Sequence, residues 1–157
     1  MKFSQLEFEG SKTYYEHLGK LFQKKKEELL DILRRAPFNW RVLAPDGGYF
    51  AIVDITEASH KIPVKYFYDA DTNTDETPIG DGYESLKDPL YSKDFAFCQW
   101  LMTEFKVAPI PLSPFYNNAH CKKPQEFRGQ NFLRFAICKR DETFDAVRET
   151  LVKKQFQ

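Results

Sequence analysis

Thr13 and Glu16 stand three residues apart, the spacing at which a hydroxyl and a carboxylate cap a helix start reciprocally. An apolar stripe follows: Tyr15, Leu18, Phe22, Leu29 and Leu33, in steps of three, four, seven and four. Only a helix puts those positions on one face, so the spacing predicts a helix over 12–35 that ends before Pro37. The run Lys24-Lys25-Lys26-Glu27-Glu28 is its solvated side. A helix of that length must lay its stripe on something, and the rest of the chain has to supply it.

Two β-rich runs come next, Trp40–Leu43 and Tyr49–Ile55, on either side of Pro45-Asp46-Gly47-Gly48. They predict a hairpin. A glycine pair can also cradle phosphate, but this one lies between strands, with no helix N-terminus after it. Ser92 is placed to cap a second helix over 94–105, with Phe97, Leu101 and Phe105 inward. Prolines keep 107–112 extended. Phe132–Cys138 is a strand with Leu133, Phe135 and Ile137 on one face and Arg134, Ala136 and Cys138 on the other. Asp141 is placed to cap a last helix that buries Phe144, Val147 and Leu151. The order predicts an α+β domain over 1–157, a small, mostly antiparallel sheet with helices packed on it.

Residues 56–91 form a long polar stretch, unusual inside one domain and expected to be an interface. Tyr66, Phe67, Tyr68, Tyr83 and Tyr91 are its expected anchors. Asp69–Asp75 imitates the start of a calcium loop, but Thr74 stands where the glycine belongs and Gly80 where the bidentate glutamate belongs. His120-Cys121 has no third ligand in register for a metal.

Lys and Arg number 23 and Asp and Glu 23, so no basic excess points to nucleic acid or an anionic membrane surface. No apolar run is long enough to span a bilayer, and the N-terminus has no signal-peptide pattern. Three cysteines, Cys98, Cys121 and Cys138, without CxxC spacing, fit a reducing, intracellular setting rather than a disulfide framework.

Arg134 is the residue that asks a question. A guanidinium in an apolar strand must be paired or face a solvated site. From spacing alone, a structural ion pair or edge position and a carboxylate clamp both remain open.

Several motifs in order carry a family likeness. They are Tyr14-Tyr15-x-x-Leu18-x-x-x-Phe22-x-x-Lys25-Lys26, then Pro45-x-Gly47-Gly48-Tyr49-Phe50-x-Ile52-x-Asp54. Asp94-x-x-Phe97-x-x-Trp100-Leu101, Ile110-Pro111-Leu112-Ser113-x-Phe115-Tyr116 and Leu133-Arg134-Phe135-x-x-x-Lys139 with Thr143 complete the set. In this order the chain resembles the C-terminal small domain of the kynurenine aminotransferase / cysteine-S-conjugate β-lyase group, class I aminotransferases that use pyridoxal phosphate (PLP). The likeness spans the chain except 56–91, which is longer than its family counterpart.

The resemblance implies the small-domain fold of fold-type I aminotransferases. It implies that Arg134 holds the α-carboxylate of an amino-acid substrate, and that Tyr49 and Phe50 pack in a segment facing the large domain. It places the Schiff-base lysine, the pyridinium acid and the phosphate-binding groups in that large domain. The expectation is therefore a chain with no catalytic residue and no cofactor site of its own. It would act as a structural or accessory subunit with other protein chains. The alternative is one part of a split or truncated transaminase, whose partner supplies PLP. The resemblance implies cytoplasm or mitochondrion.

Overall fold

The computed structural model describes residues 10–69, 73–87, 89–116 and 128–153. Helix α1 runs Tyr14–Arg35, strand β1 Arg41–Leu43, β2 Phe50–Asp54, α2 Lys93–Phe105, β3 Ile110–Pro111, β4 Phe132–Ala136 and α3 Asp141–Arg148, continued by a wider turn over Glu149–Lys153. The strands form one antiparallel sheet in the order β1-β2-β4-β3. With the helices around it this is the expected α+β arrangement.

The α1 cap forms as its spacing predicts, with one shift. Thr13 Oγ1 accepts from the Glu16 N–H at 3.2 Å, while Glu16 Oε2 accepts from the Lys12 N–H at 2.9 Å. The helix closes where the Ala36 N–H meets the Ile32 carbonyl, just before Pro37. Only its second half is buried, through Leu29, Leu30, Ile32 and Leu33. Tyr15, expected to face inward, is 84% exposed, and Leu18 and Phe22 are half-buried. The stripe is real, but among the described residues only its second half is fully buried.

β1 and β2 pair as a hairpin, Val42 opposite Val53, and Gly48 takes φ +82° in the turn between them. That conformation costs glycine little and a side chain much. β4 alternates as expected: Leu133, Phe135 and Ile137 are buried, while Phe132, Arg134 and Ala136 are half-buried on the other face. Phe38 is an aromatic hub, 4.7 Å from the Trp40 ring, 5.3 Å from Phe105, 5.6 Å from Trp100 and 5.7 Å from Phe97.

α2 buries Phe97, Leu101 and Phe105 as its spacing predicts. Ser92 precedes it, but its hydroxyl donates to Asp94 Oδ1 at 2.6 Å instead of capping the backbone. At α3 the flanking position belongs to Arg140, not Asp141. Asp141 is the first helical residue, and its carboxylate is taken by Lys25 at 2.5 Å. Phe144 and Leu151 are buried and Val147 is half-buried.

The 56–91 stretch departs most from expectation. It folds as a series of short tight turns, over Ala58–Lys61, Val64–Phe67 and Gly82–Ser85. Backbone bonds tie its two limbs: Val64 N–H to the Thr77 carbonyl, Ile79 N–H to Ile62 and Gly80 N–H to His60. Ile62 and Phe67 are fully buried, and Tyr66 and Tyr83 are buried within a few per cent. Three of the five aromatics expected at an interface are thus in the protein's own core, and Tyr68 and Tyr91 are half-buried. The Tyr83 hydroxyl donates to buried Gln130 Oε1, and the Tyr66 hydroxyl to Glu104, both at 2.8 Å. Burial pushes both phenols up to about 12. Asp75 turns inward on its own loop, accepting from the Thr77 N–H and hydroxyl. Among the described residues, no group of three or more His, Cys, Asp or Glu could hold a metal. His120 and Cys121 lie outside those residues.

Candidate functional site

Arg134 sits at the centre of β4, with Ile52 of β2 opposite on one side and Ile110 of β3 on the other. Leu133 and Phe135 point into the core, so strand alternation sends the guanidinium to the opposite face. There it lies between two rings. Its carbon is 4.5 Å from the centre of Phe50 and 3.8 Å from that of Phe115. Such stacking holds a planar cation by its faces and leaves its in-plane N–H groups to bind.

Those donors are not all used. Among the described residues, the buried Nε of Arg134 has no hydrogen-bond partner and no carboxylate pairs with the side chain. A buried unmet donor on a charged group is costly and calls for an acceptor. The arrangement suits an incoming carboxylate, which the fork can grip at two points.

Asp94 organises the second ring. It is fully buried at the start of α2, and its Oδ1 takes the Ser92 hydroxyl and the Phe95 N–H. Its Oδ2 takes the Ser113 N–H at 2.8 Å. Ser113 opens the short turn Ser113–Phe115, and the Leu112 N–H ties the same segment to the Phe132 carbonyl at 3.2 Å. One carboxylate thus anchors the loop that lays Phe115 on Arg134.

The two residues after the glycine pair part company. Phe50 joins Arg134, whereas Tyr49 is 56% exposed and meets Phe22 edge-on at 5.2 Å. Sequence reasoning treated Phe50 as packing and gave no part to Phe115 or Asp94. Both lie in the motifs quoted above, but their convergence on Arg134 comes from three separate elements.

The ring contacts of Arg134 are both aromatic, Phe50 and Phe115, and among the described residues it forms no ion pair. Lys93, half-buried over the Tyr83 ring at 4.7 Å, lines a separate cleft of about 130 Å³ with His60 and Glu84. Burial pushes the Cys98 thiol well up, which leaves it a core residue rather than a nucleophile.

No family model matches the chain. It is 31% identical over 148 residues to a kynurenine–oxoglutarate transaminase of Dictyostelium discoideum, covering 94% of this chain and 29% of that protein. It is 25% identical over 138 residues to kynurenine–oxoglutarate transaminase 3 of Bos taurus, covering 88% and 24%. Among solved structures, Bna3p of Saccharomyces cerevisiae superposes with a TM-score of 0.61 at 29% identity, over 89% of this chain and 27% of that one. YbdL of Escherichia coli, described as having a methionine aminotransferase function, gives 0.51 at 25% identity, over 88% and 26%. The chain thus spans about a quarter of the length of the proteins it matches. The fold and these likenesses define an aminotransferase-like chain of class I, with the small-domain architecture. More narrowly, over that span it is similar to the kynurenine–oxoglutarate transaminases.

Proposed function

We propose that this chain provides the substrate-carboxylate grip of a PLP-dependent aminotransferase and works with a complementary large domain. Arg134 would hold the α-carboxylate of an amino acid or 2-oxo acid, with Phe50 and Phe115 fixing the guanidinium plane. PLP, held by that large domain, would supply the electron sink for amino-group transfer. The grip contributes by orienting the substrate. The chain alone neither binds PLP nor transaminates. The observation that carries this reading is the stacked Arg134 with its buried, unmet Nε. We take the 157 residues as one small domain in which 56–91 is an insertion relative to the family.

A structural or accessory role in an assembly of protein chains is the second reading. It draws on the apolar side chains left outside on α1 and the glycine turn, Tyr14, Tyr15, Leu21 and Tyr49. Neither reading involves nucleic acid or membrane insertion. No described helix is long and apolar enough to cross a membrane. The two described cysteines are free thiols, which accords with a cytoplasmic or mitochondrial site.

The deciding experiment follows the Arg134 Nε–H resonance of the 157-residue chain on adding 2-oxoglutarate or L-kynurenine. The clamp predicts a saturable shift in the millimolar range, and Arg134→Lys should abolish binding of the same ligand, read from the ligand's own resonances, without unfolding the chain. No shift at saturating ligand leaves the accessory role. A PLP aldimine absorption band in the chain alone would refute both.

A further inference from the structure

We propose that a second cleft, between the second half of α1, the segment leading into β3 and the start of α3, binds a small organic anion with an apolar body. The cleft measures about 510 Å³, within the range of small-molecule sites. Its floor is apolar, made by Leu29, Val107, Phe135 and Phe144, all buried. Its rim is cationic: Lys106 from the end of α2, and Lys139 and Arg140 from the link between β4 and α3. Arg134 does not line it.

The charge balance is one-sided. Three cations line the cleft and no carboxylate does. Among the described residues none of the three is in an ion pair; Lys106 gives a hydrogen bond to the Thr103 carbonyl. Asp141, beside Arg140 in the chain, is already neutralised by Lys25. Thr143 brings the first turn of α3 to the cleft, and a helix start adds partial positive charge.

Lys106 supplies a separate observation. It is the one described residue other than glycine with positive φ, +57°, at the position after α2 where glycine is the ordinary choice. A lysine there accepts backbone strain and adds a cationic side chain to the lining of the cleft, which glycine could not do. An apolar floor under a cationic rim with no described ion pair selects an amphipathic anion, an aryl or medium-chain alkyl carboxylate or sulfonate. Inorganic anions would leave the floor unused, and neutral hydrophobes would leave the rim unused.

The test uses 8-anilinonaphthalene-1-sulfonate with the 157-residue chain, and N-phenyl-1-naphthylamine as the same body without the sulfonate. We expect one saturable sulfonate site by fluorescence. Lys139→Gln with Arg140→Gln should weaken the sulfonate roughly tenfold, the scale of losing two exposed charge contacts, and change the neutral probe less than twofold. Lys24→Gln with Lys26→Gln, on α1 near its exposed aromatics and away from this cleft, should change neither. Cys138 is exposed and lines the cleft, so bound sulfonate should slow its alkylation by iodoacetamide, mapped by peptide mass spectrometry. This protection is read on the unsubstituted chain and stands even if a variant unfolds. Unchanged affinity in the folded Lys139/Arg140 variant, or Cys138 reacting equally fast with and without the probe, overturns the proposal. So does loss of binding in the Lys24/Lys26 variant, which would put the probe on the exposed aromatics of α1.

Discussion

The 56–91 segment and the first half of α1 exchange the roles their sequences suggest. The segment is polar, with scattered Pro and Gly, yet it delivers Ile62, Tyr66, Phe67 and Tyr83 to the core. The helix carries a regular apolar stripe, yet its first member, Tyr15, lies largely in water. Periodicity tells which side chains share a face; it does not tell whether anything lies opposite that face. The segment folds back through ties such as Ile79 N–H to Ile62 and Leu90 N–H to Phe67, and α2 and Gln130 meet its rings. Near the start of α1, Phe22 meets Tyr49 of the glycine turn edge-on.

That contrast can be broken most directly at Phe67. Phe67→Ala should cost about 3–5 kcal/mol, the range for emptying a fully buried phenylalanine, measured as a urea-unfolding midpoint shift. A loss under about 1 kcal/mol would show that the segment is a surface strap after all. Tyr83→Phe sharpens the point by removing one hydroxyl. It leaves buried Gln130 Oε1 without that donor and should cost about 1–3 kcal/mol.

Smaller again is the acid arm of stability at Asp54, the residue that leads into the segment. Burial works to raise its pKa, but hydrogen bonds from the Thr56 hydroxyl and N–H, and the Arg41 guanidinium, outweigh it and hold the carboxyl below its ordinary value. A folded-state pKa below the unfolded one gives stability that is present above the ordinary aspartate value and lost as pH falls through the folded one. Asp54→Asn should therefore flatten the loss of stability between about pH 5 and pH 2. An unchanged acid slope would mean that the Thr56 bonds persist in the unfolded chain. The smallest effect belongs to the other region: Tyr15→Ser should shift stability by no more than about 0.5 kcal/mol, as for an ordinary surface site. A large loss there would mean the stripe is buried in solution, and the contrast would fail.

What was legible in the sequence follows the range of the interaction that decides it. The α1 cap, the hairpin around Gly47-Gly48, the α2 face and the two sides of β4 are set within a few residues, and each forms as its pattern predicts. Arg134 was visible because a charge between Leu133 and Phe135 has no local remedy. Its surroundings were not visible. Phe50, Phe115 and Asp94 come from a strand, a turn and a helix start, and no period or spacing links them. The turns of 56–91 escaped for the same reason: Tyr83 is a core residue because Gln130 and Phe67 stand beside it, not because of its neighbours in the chain. Asp141 misled by one position, since Lys25, far away in the chain, claims the carboxylate that local spacing assigned to a cap.

The middle of the sheet joins β2 to β4, where Asp54 faces Phe132, 78 positions further along the chain. Closing so long a loop is entropically unfavourable before any ladder bond forms. The hairpin and α1 can form early, being local, but β4 has nowhere to dock until the intervening turns and α2 have drawn together. Refolding should thus be limited by this one closure, in the slower range of mixed α/β topologies rather than that of helical bundles. A nick anywhere between β2 and β4 would turn that closure into the meeting of two separate chains, and recovery of the fold would then depend on protein concentration.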